Sequence, residues 1–209
     1  MDAAPGKVWK VGVEATVFDP SRFPSEGVPE IAVAGRSNVG KSALINALLG
    51  TRLAHVGATP GKTRSVNFYS VESGSGSFRL TDLPGYGYAE RSKSEKKEWS
   101  QLTTDYVRKR KSLILVCHLA DFRHGLLAND RMLQDWLCEC GRPIQVVFTK
   151  GDKISRGKRR ATLQQYVRDG LKSLDVPIVT SSEERFGIDE LRLFLERYAT
   201  RQPADPVPE

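Results

Sequence analysis

The chain has 209 residues, enough for one well-buried α/β domain and too few for two. Its hydrophobic fraction of 39% and charged fraction of 27% are those of a soluble globular protein, and its strongest apolar run, Leu113 to Ala120, falls far short of the roughly 18–20 residues of a membrane span. Thirty-two basic against 25 acidic residues leave a charge of +7, which suits a polyanionic partner as well as plain solubility.

The N-terminus, Met1-Asp2-Ala3-Ala4-Pro5, has no basic flank followed by an apolar core, so no secretory signal is expected. Val11, Val13, Ala15 and Val17 alternate and predict an edge strand within an N-terminal extension, residues 1–30. The main domain is expected over 31–199. It begins with Ile31-Ala32-Val33-Ala34, short and apolar as a buried parallel strand should be. A glycine-containing run follows, then a helix near 41–49 with Ala43, Leu44, Ala47 and Leu48 at helical spacing. Strands are predicted near 66–71 and 78–82. The segment Glu72-Ser73-Gly74-Ser75-Gly76-Ser77 joins them as a hairpin loop, making one strand antiparallel. Helices near 94–110, 127–139, 158–172 and 187–199 then alternate with strands near 112–118, 143–148 and 176–180. The tail, 200–209, is proline-rich and expected to be disordered. This order predicts a doubly wound, mostly parallel six-stranded sheet with helices on both faces and ligand loops at the carboxyl ends of its strands.

The three cysteines, Cys117, Cys138 and Cys140, have no histidine near the C-x-C pair. Free thiols in a reducing cytoplasm are the expectation, rather than a zinc site.

The run Gly35-Arg36-Ser37-Asn38-Val39-Gly40-Lys41-Ser42 fits G-x-x-x-x-G-K-[S/T], between a strand and a helix N-terminus. There the free backbone N–H groups and the positive end of the helix dipole face an anion. Glycines let the backbone approach phosphates, Lys41 reaches the β and γ oxygens, and Ser42 offers a hydroxyl to Mg²⁺. The fold class is therefore that of a P-loop NTPase. Asp82-Leu83-Pro84-Gly85 ends the fourth predicted strand (counting the edge strand). Its acid is suited to Mg²⁺ and the Gly85 N–H to a γ-phosphate, a contact present with GTP and lost with GDP. Thr149-Lys150-Gly151-Asp152 follows another strand. One carboxylate accepts together from guanine N1–H and the 2-amino group, a pair adenine lacks, so Asp152 selects guanine, while Lys150 lays its aliphatic stem along the base. The backbone N–H groups of Thr180-Ser181-Ser182 are candidates for guanine O6. Between loop and hairpin, Thr59-Pro60-Gly61-Lys62-Thr63-Arg64-Ser65 reads as a switch, a threonine completing the Mg²⁺ shell only when the γ-phosphate is present. Spacing does not choose between Thr59 and Thr63.

These motifs in this order resemble the translation-factor-like GTPases. The phosphate loop, Pro60-Gly61-Lys62-Thr63, Asp82-Leu83-Pro84-Gly85-Tyr86-Gly87-Tyr88-Ala89, Asp121-x-Arg123-His124 and Thr149-Lys150-Gly151-Asp152 look like the bacterial EngB (YihA/YsxC) GTPases of ribosome biogenesis, over about Val11 to Tyr198. The resemblance implies Thr63 as the switch threonine. It also implies GTP/GDP and Mg²⁺ as ligands and a precursor of the large ribosomal subunit (rRNA and ribosomal proteins) as partner; some eukaryotic members are organellar, but no transit peptide is read in this chain, so a cytoplasmic protein is expected. No membrane partner is expected, and a monomer is.

On this reading Ser42, Thr63 and Asp82 manage the metal. Lys41, Thr63 and Gly85 serve catalysis, Lys41 together with the loop N–H groups neutralising developing charge. The glutamine that orients water in small signalling GTPases is replaced by Tyr86, so hydrolysis is expected to be slow without a partner. Two basic stretches stand out. Residues 91–111 carry eight Lys/Arg against three acids, and 150–160 carry six against one; these are candidates for rRNA phosphate. The alternative is a switch acting on a non-ribosomal protein in the cell cycle or RNA modification; a metabolic kinase is disfavoured by the guanine motif. Related GTPases with Asn at the position of Asn38 hold K⁺ there, and the competing role for Asn38 is loop stability alone. Equal single-turnover hydrolysis rates in K⁺ and Na⁺ would remove the cation.

Overall fold

The computed structural model describes residues 9–54, 65–86 and 93–200, the side chains of 93–100 excepted. The N-terminal strand β1 (Lys10–Val17) precedes β2 (Glu30–Gly35), α1 (Lys41–Leu49) and the hairpin β3 (Val66–Glu72) and β4 (Ser77–Asp82). The rest alternates: α2 (Lys93–Lys109), β5 (Leu113–Asp121), α3 (Ala128–Glu139), β6 (Ile144–Thr149), α4 (Arg156–Arg168), β7 (Ile178–Val179) and α5 (Ile188–Thr200). One seven-stranded sheet runs in the order β1-β3-β4-β2-β5-β6-β7. It holds the six strands expected of the main domain with β1 added at one edge. β3 is the antiparallel strand, paired with β1 on one side and β4 on the other.

β2 is buried along its whole length, which is why its sequence is continuously apolar after Glu30. Its side chains alternate between two cores. Ile31 and Val33 meet Leu44, Ile45, Leu48, Leu191 and Leu195 from α1 and α5. Ala32 and Ala34 face the other layer, with Phe68, Tyr106, Val116, Leu137 and Phe148. Among the described residues no helix is long and apolar enough to cross a membrane. The three cysteines are free, and no cluster of His, Cys, Asp or Glu among the described residues could hold a metal by itself.

Three element boundaries differ from expectation, each for a local reason. β5 runs on to Asp121, three residues beyond the predicted end, because it stays paired with β6 as far as Asp121 against Thr149. β7 keeps only two residues of the predicted 176–180: Pro177 has no N–H to give a ladder, and only Ile178 and Val179 pair with β6. α4 stops at Arg168, not 172, where Gly170 turns into the left-handed region at φ +80°. The tail beyond 200, like the Thr59–Arg64 part of the switch loop, lies outside the described residues.

Glu30 is fully buried at the start of β2. Its carboxylate accepts from Arg79 Nη1 (3.1 Å), Arg110 Nη2 (2.6 Å) and Tyr106 Oη (3.0 Å). Arg79 also grips Glu14 of β1 through two bonds of 2.7 Å. Burial of these charges is tolerable only because each is paired and hydrogen-bonded. The consequence for function is a correction: Arg110, counted in the basic stretch 91–111, is internal and unavailable to a polyanion. Removing one partner from such a cluster costs about 3–5 kcal/mol. Glu30→Gln should therefore lower the melting temperature by about 10 °C, read by thermal unfolding followed by circular dichroism.

Candidate functional site

The carboxyl ends of β2, β4, β5 and β6 lie side by side, and the loops leaving them meet. Parallel pairing sets Val33 beside Asp82, Gly35 beside Leu119 and Asp121 beside Thr149. The phosphate loop leaves β2 at Gly35 and enters α1 through Gly40, a left-handed N-cap at φ +103°. A side chain at Gly35 would run into Val39 and Leu119, so glycine there is enforced by close approach. Asn38 takes the left-handed region at φ +64° and is exposed.

Lys41, almost wholly buried, forms a direct ion pair with the equally buried Asp82. Burial pushes the Asp82 carboxyl up, and Lys41 pulls against it. Ser42 is half-buried on the first turn of α1. The next turn of chain, Leu83-Pro84-Gly85, runs over the phosphate loop. Leu83 N donates to Val33 O (3.1 Å), Ser37 N to Tyr86 O (3.0 Å), and Tyr86 N to Gly35 O (3.4 Å). A Cβ on Gly85 would come within 3.2 Å of Ser37 N. The two backbones are as close as glycine allows.

The guanine motif follows β6. Thr149 Oγ1 donates to Val39 O (2.6 Å), tying this loop to the phosphate loop. Lys150, left-handed at φ +56°, reaches back so that Nζ meets Asn38 O (2.8 Å) and Asp121 Oδ2 (3.0 Å). A side chain at Gly151 would strike Val179 and Phe186. Asp152 accepts from Ser181 Oγ (2.6 Å) and pairs with Lys153 (2.9 Å). Burial works against its charge, yet these partners hold its carboxyl below the usual range.

The expected role of the Thr180-Ser181-Ser182 backbone needs correcting. Thr180 N already donates to Phe148 O and Ser181 N to Phe186 O, because β7 and the turn after it consume them. Of the three, only Ser182 N–H is without a hydrogen bond among the described residues, and Ser181 contributes its hydroxyl to Asp152 instead. Ser65 is buried and donates to Asn67 Oδ1 (3.2 Å). Gly61, Lys62, Thr63 and Arg64, with Gly87 and Tyr88, lie outside the described residues.

Asp121, quoted above only within the motif that carries the family resemblance, also sits at this edge. Its carboxylate accepts from Arg123 Nε (2.9 Å) and Nη2 (2.7 Å) besides pairing with Lys150. An acid closing a strand at the carboxyl edge of the sheet was the available signal, hidden because the strand was ended at 118. His118 is buried and hydrogen-bonded to Tyr86 and Gln134. His124 is exposed.

A profile of the family described as "50S ribosome-binding GTPase" matches residues 30–150. The probable GTP-binding protein EngB of Alkaliphilus oremlandii is 46% identical over 188 residues, 88% of either chain. The chain belongs to the EngB family of GTP-binding proteins. The probable EngB of Clostridioides difficile is 40% identical over 88% of this chain and 91% of its own. The crystal structure of a probable EngB protein superposes with a TM-score of 0.62 at 23% identity, over 82% of this chain and all of that one. Era of Aquifex aeolicus bound to GDP·AlF4⁻ superposes with a TM-score of 0.72 at 21% identity, over 87% of this chain but 60% of Era, and shares the fold. As an EngB-family protein the chain is a GTPase that binds guanine nucleotide.

Burial opposes the Asp121 charge, but the bonds from Arg123 and Lys150 hold its carboxyl well below the usual carboxylate range. A pKa depressed on folding adds stability above the unfolded value, about 3.9, and that stability is lost as pH falls through the folded value. Asp121→Asn should thus lose less stability than the parent between pH 5 and pH 2. Urea unfolding at both pH values measures it, and equal losses would count against Asp121.

Proposed function

We propose that the loops at this sheet edge bind GTP and Mg²⁺, and that the GTPase is a slow switch acting on the large ribosomal subunit. The observation carrying the nucleotide reading is convergence. Phosphate loop, Asp82-Gly85 turn and guanine motif, far apart in sequence, touch one another through Ser37–Tyr86 and Thr149–Val39. In this reading Gly35 to Ser42 cradle the phosphates, Asp152 with Ser181 behind it selects guanine, and Lys150 covers the base.

Ser42 and Asp82 offer only oxygen donors, a hydroxyl and a carboxylate, the set a hard divalent cation prefers, so they fit Mg²⁺. When bound, the cation would neutralise charge on the phosphates. Thr63, implied by family resemblance, would join them in the triphosphate state. Lys41 would exchange its contact with Asp82 for phosphate oxygens. The Tyr86 hydroxyl donates to Asp130 (2.6 Å). That supports slow intrinsic hydrolysis, since the Tyr86 hydroxyl is committed to Asp130 and not to a water. K⁺ at Asn38 remains part of the proposal.

Two features support a ribosomal partner besides the family's description. Arg156, Lys158 and Arg160 are exposed on the first turns of α4, which has no acidic residue there. Cations at the positive end of a helix dipole are unfavourable for folding, and an external phosphate relieves them. Arg108 and Lys111 are also exposed, whereas Lys109 is exposed but paired with Asp105 (2.8 Å). The 150–160 stretch is otherwise less basic than it reads: Lys150 is paired with Asp121, Lys153 with Asp152 and Glu183, and Arg159 with Glu184.

Co-sedimentation with large ribosomal subunits tests this. Binding with a non-hydrolysable GTP analogue, weaker with GDP and weaker at high salt, is expected, because each phosphate contact releases counterions. Tight guanine-nucleotide binding with no subunit binding in either state would point to a protein partner off the ribosome.

A further inference from the structure

Behind the phosphate loop lies a buried polar chain. Tyr86 Oη donates to Asp130 Oδ1 (2.6 Å), and Leu127 N donates to Asp130 Oδ2 (2.9 Å) at the start of α3. Arg36 of the phosphate loop faces the same carboxylate, Nε to Oδ2 at 3.3 Å. His118 Nε2 lies 2.9 Å from Tyr86 Oη, and Gln134 Nε2 lies 3.2 Å from His118 Nδ1. Gln134 is itself fixed, its amide donating to Lys172 O (3.1 Å) and accepting from Lys172 N (3.0 Å). The proton count along this chain has one solution. Tyr86 has a single hydroxyl proton and gives it to Asp130, so His118 must donate from Nε2–H. Its Nδ1 is then the acceptor for Gln134. From Asp130 through Tyr86 and His118 to Gln134 each group is satisfied, while the buried Arg36 Nε faces Asp130 without a hydrogen bond; α3, β5 and the loop at Lys172 jointly hold one tyrosine ring.

The other end of that tyrosine bears on the nucleotide. The carbonyl of Tyr86 occupies the N–H of Ser37 (3.0 Å). Ser37 N lies against Gly85, the residue read as the γ-phosphate contact, so this amide is on the γ side of the loop. One N–H cannot donate fully to two acceptors. A γ-phosphate that takes the Ser37 amide must displace the Tyr86 carbonyl, whereas a diphosphate, ending short of it, need not. A cavity of about 380 Å³, lined among others by Leu83, Pro84, Val107, Leu133 and Trp136, lies beside the ring and gives it room to move.

We propose that Tyr86, held by Asp130 and His118, is a positioning residue that sets the preference between di- and triphosphate by keeping its carbonyl on the Ser37 amide. This rests on the nucleotide lying in the loop Gly35–Ser42. By linkage, whatever stabilises the latched arrangement opposes the ligand that breaks it, and only that ligand.

The test is the ratio of affinities for a fluorescent GDP and a fluorescent non-hydrolysable GTP analogue, in the parent, Tyr86→Phe and His118→Gln proteins. Tyr86→Phe keeps the ring and removes the donor. The analogue is expected to gain about 3–15-fold, the equivalent of losing one buried hydrogen bond, with GDP affinity unchanged. His118→Gln retains an N–H donor toward Tyr86 Oη and should stay near the parent ratio. A loss of fold would weaken both nucleotides together and leave the ratio in place. An unchanged ratio in a folded Tyr86→Phe protein that binds GDP tightly overturns the latch while sparing the nucleotide site. Failure of the parent protein to bind either nucleotide would overturn the site reading itself.

Discussion

The fold depends on strands that end level with one another. β2, β4, β5 and β6 run parallel, so their carboxyl ends, and the loops that leave them, are forced to one edge. The close contacts there follow from that alignment rather than from any loop's own preference. Gly35 between Val39 and Leu119, and Gly85 against Ser37, have no room for a Cβ without movement of a neighbour. Gly151 is confined in the same way by Val179 and Phe186. These glycines matter less for flexibility than for letting three backbones approach.

The chemistry at that edge is one of borrowed partners. Lys41 holds Asp82, the Ser37 amide holds Tyr86 O, and Lys150 holds Asn38 O. Lys41, Asp82, the Ser37 amide and Lys150 are groups that the nucleotide reading assigns to a phosphate, a metal or a base. On that reading these groups are held by internal contacts that a ligand would exchange for its own. Binding then becomes a difference between two well-paired arrangements, a natural basis for a switch with a modest energy gap. Behind the edge, the Glu30 cluster holds β1, β2, β4 and the end of α2 together from the opposite side of the sheet.

Much of this was legible in the sequence, because it is local. The phosphate loop, the Asp82-Gly85 turn and the Thr149-Asp152 motif are contiguous strings whose residue types state their chemistry, and the apolar runs give the strands directly. What escaped was decided by pairing across the sheet. That β5 continues to Asp121 follows from its register with β6, and no feature of residues 119–121 alone distinguishes strand from loop. Charge counting misread Arg110, because burial against Glu30, eighty positions away, cannot be seen in a run of basic residues. The Thr180 and Ser181 amides were misassigned for the same reason: which acceptor an N–H finds depends on where Phe148 and Phe186 come to rest.

The bond from Thr149 to the Val39 carbonyl, with the reach of Lys150 to Asn38, has a further meaning. It ties the loop after β6 and the loop after β2 into a single body. On the proposed nucleotide reading a ligand would be measured as a whole, its length and its ends judged together, as a gauge block is judged between two fixed jaws. On that reading errors at one end of the ligand would be felt at the other, and a wrong base would be rejected partly through ill-seated phosphates.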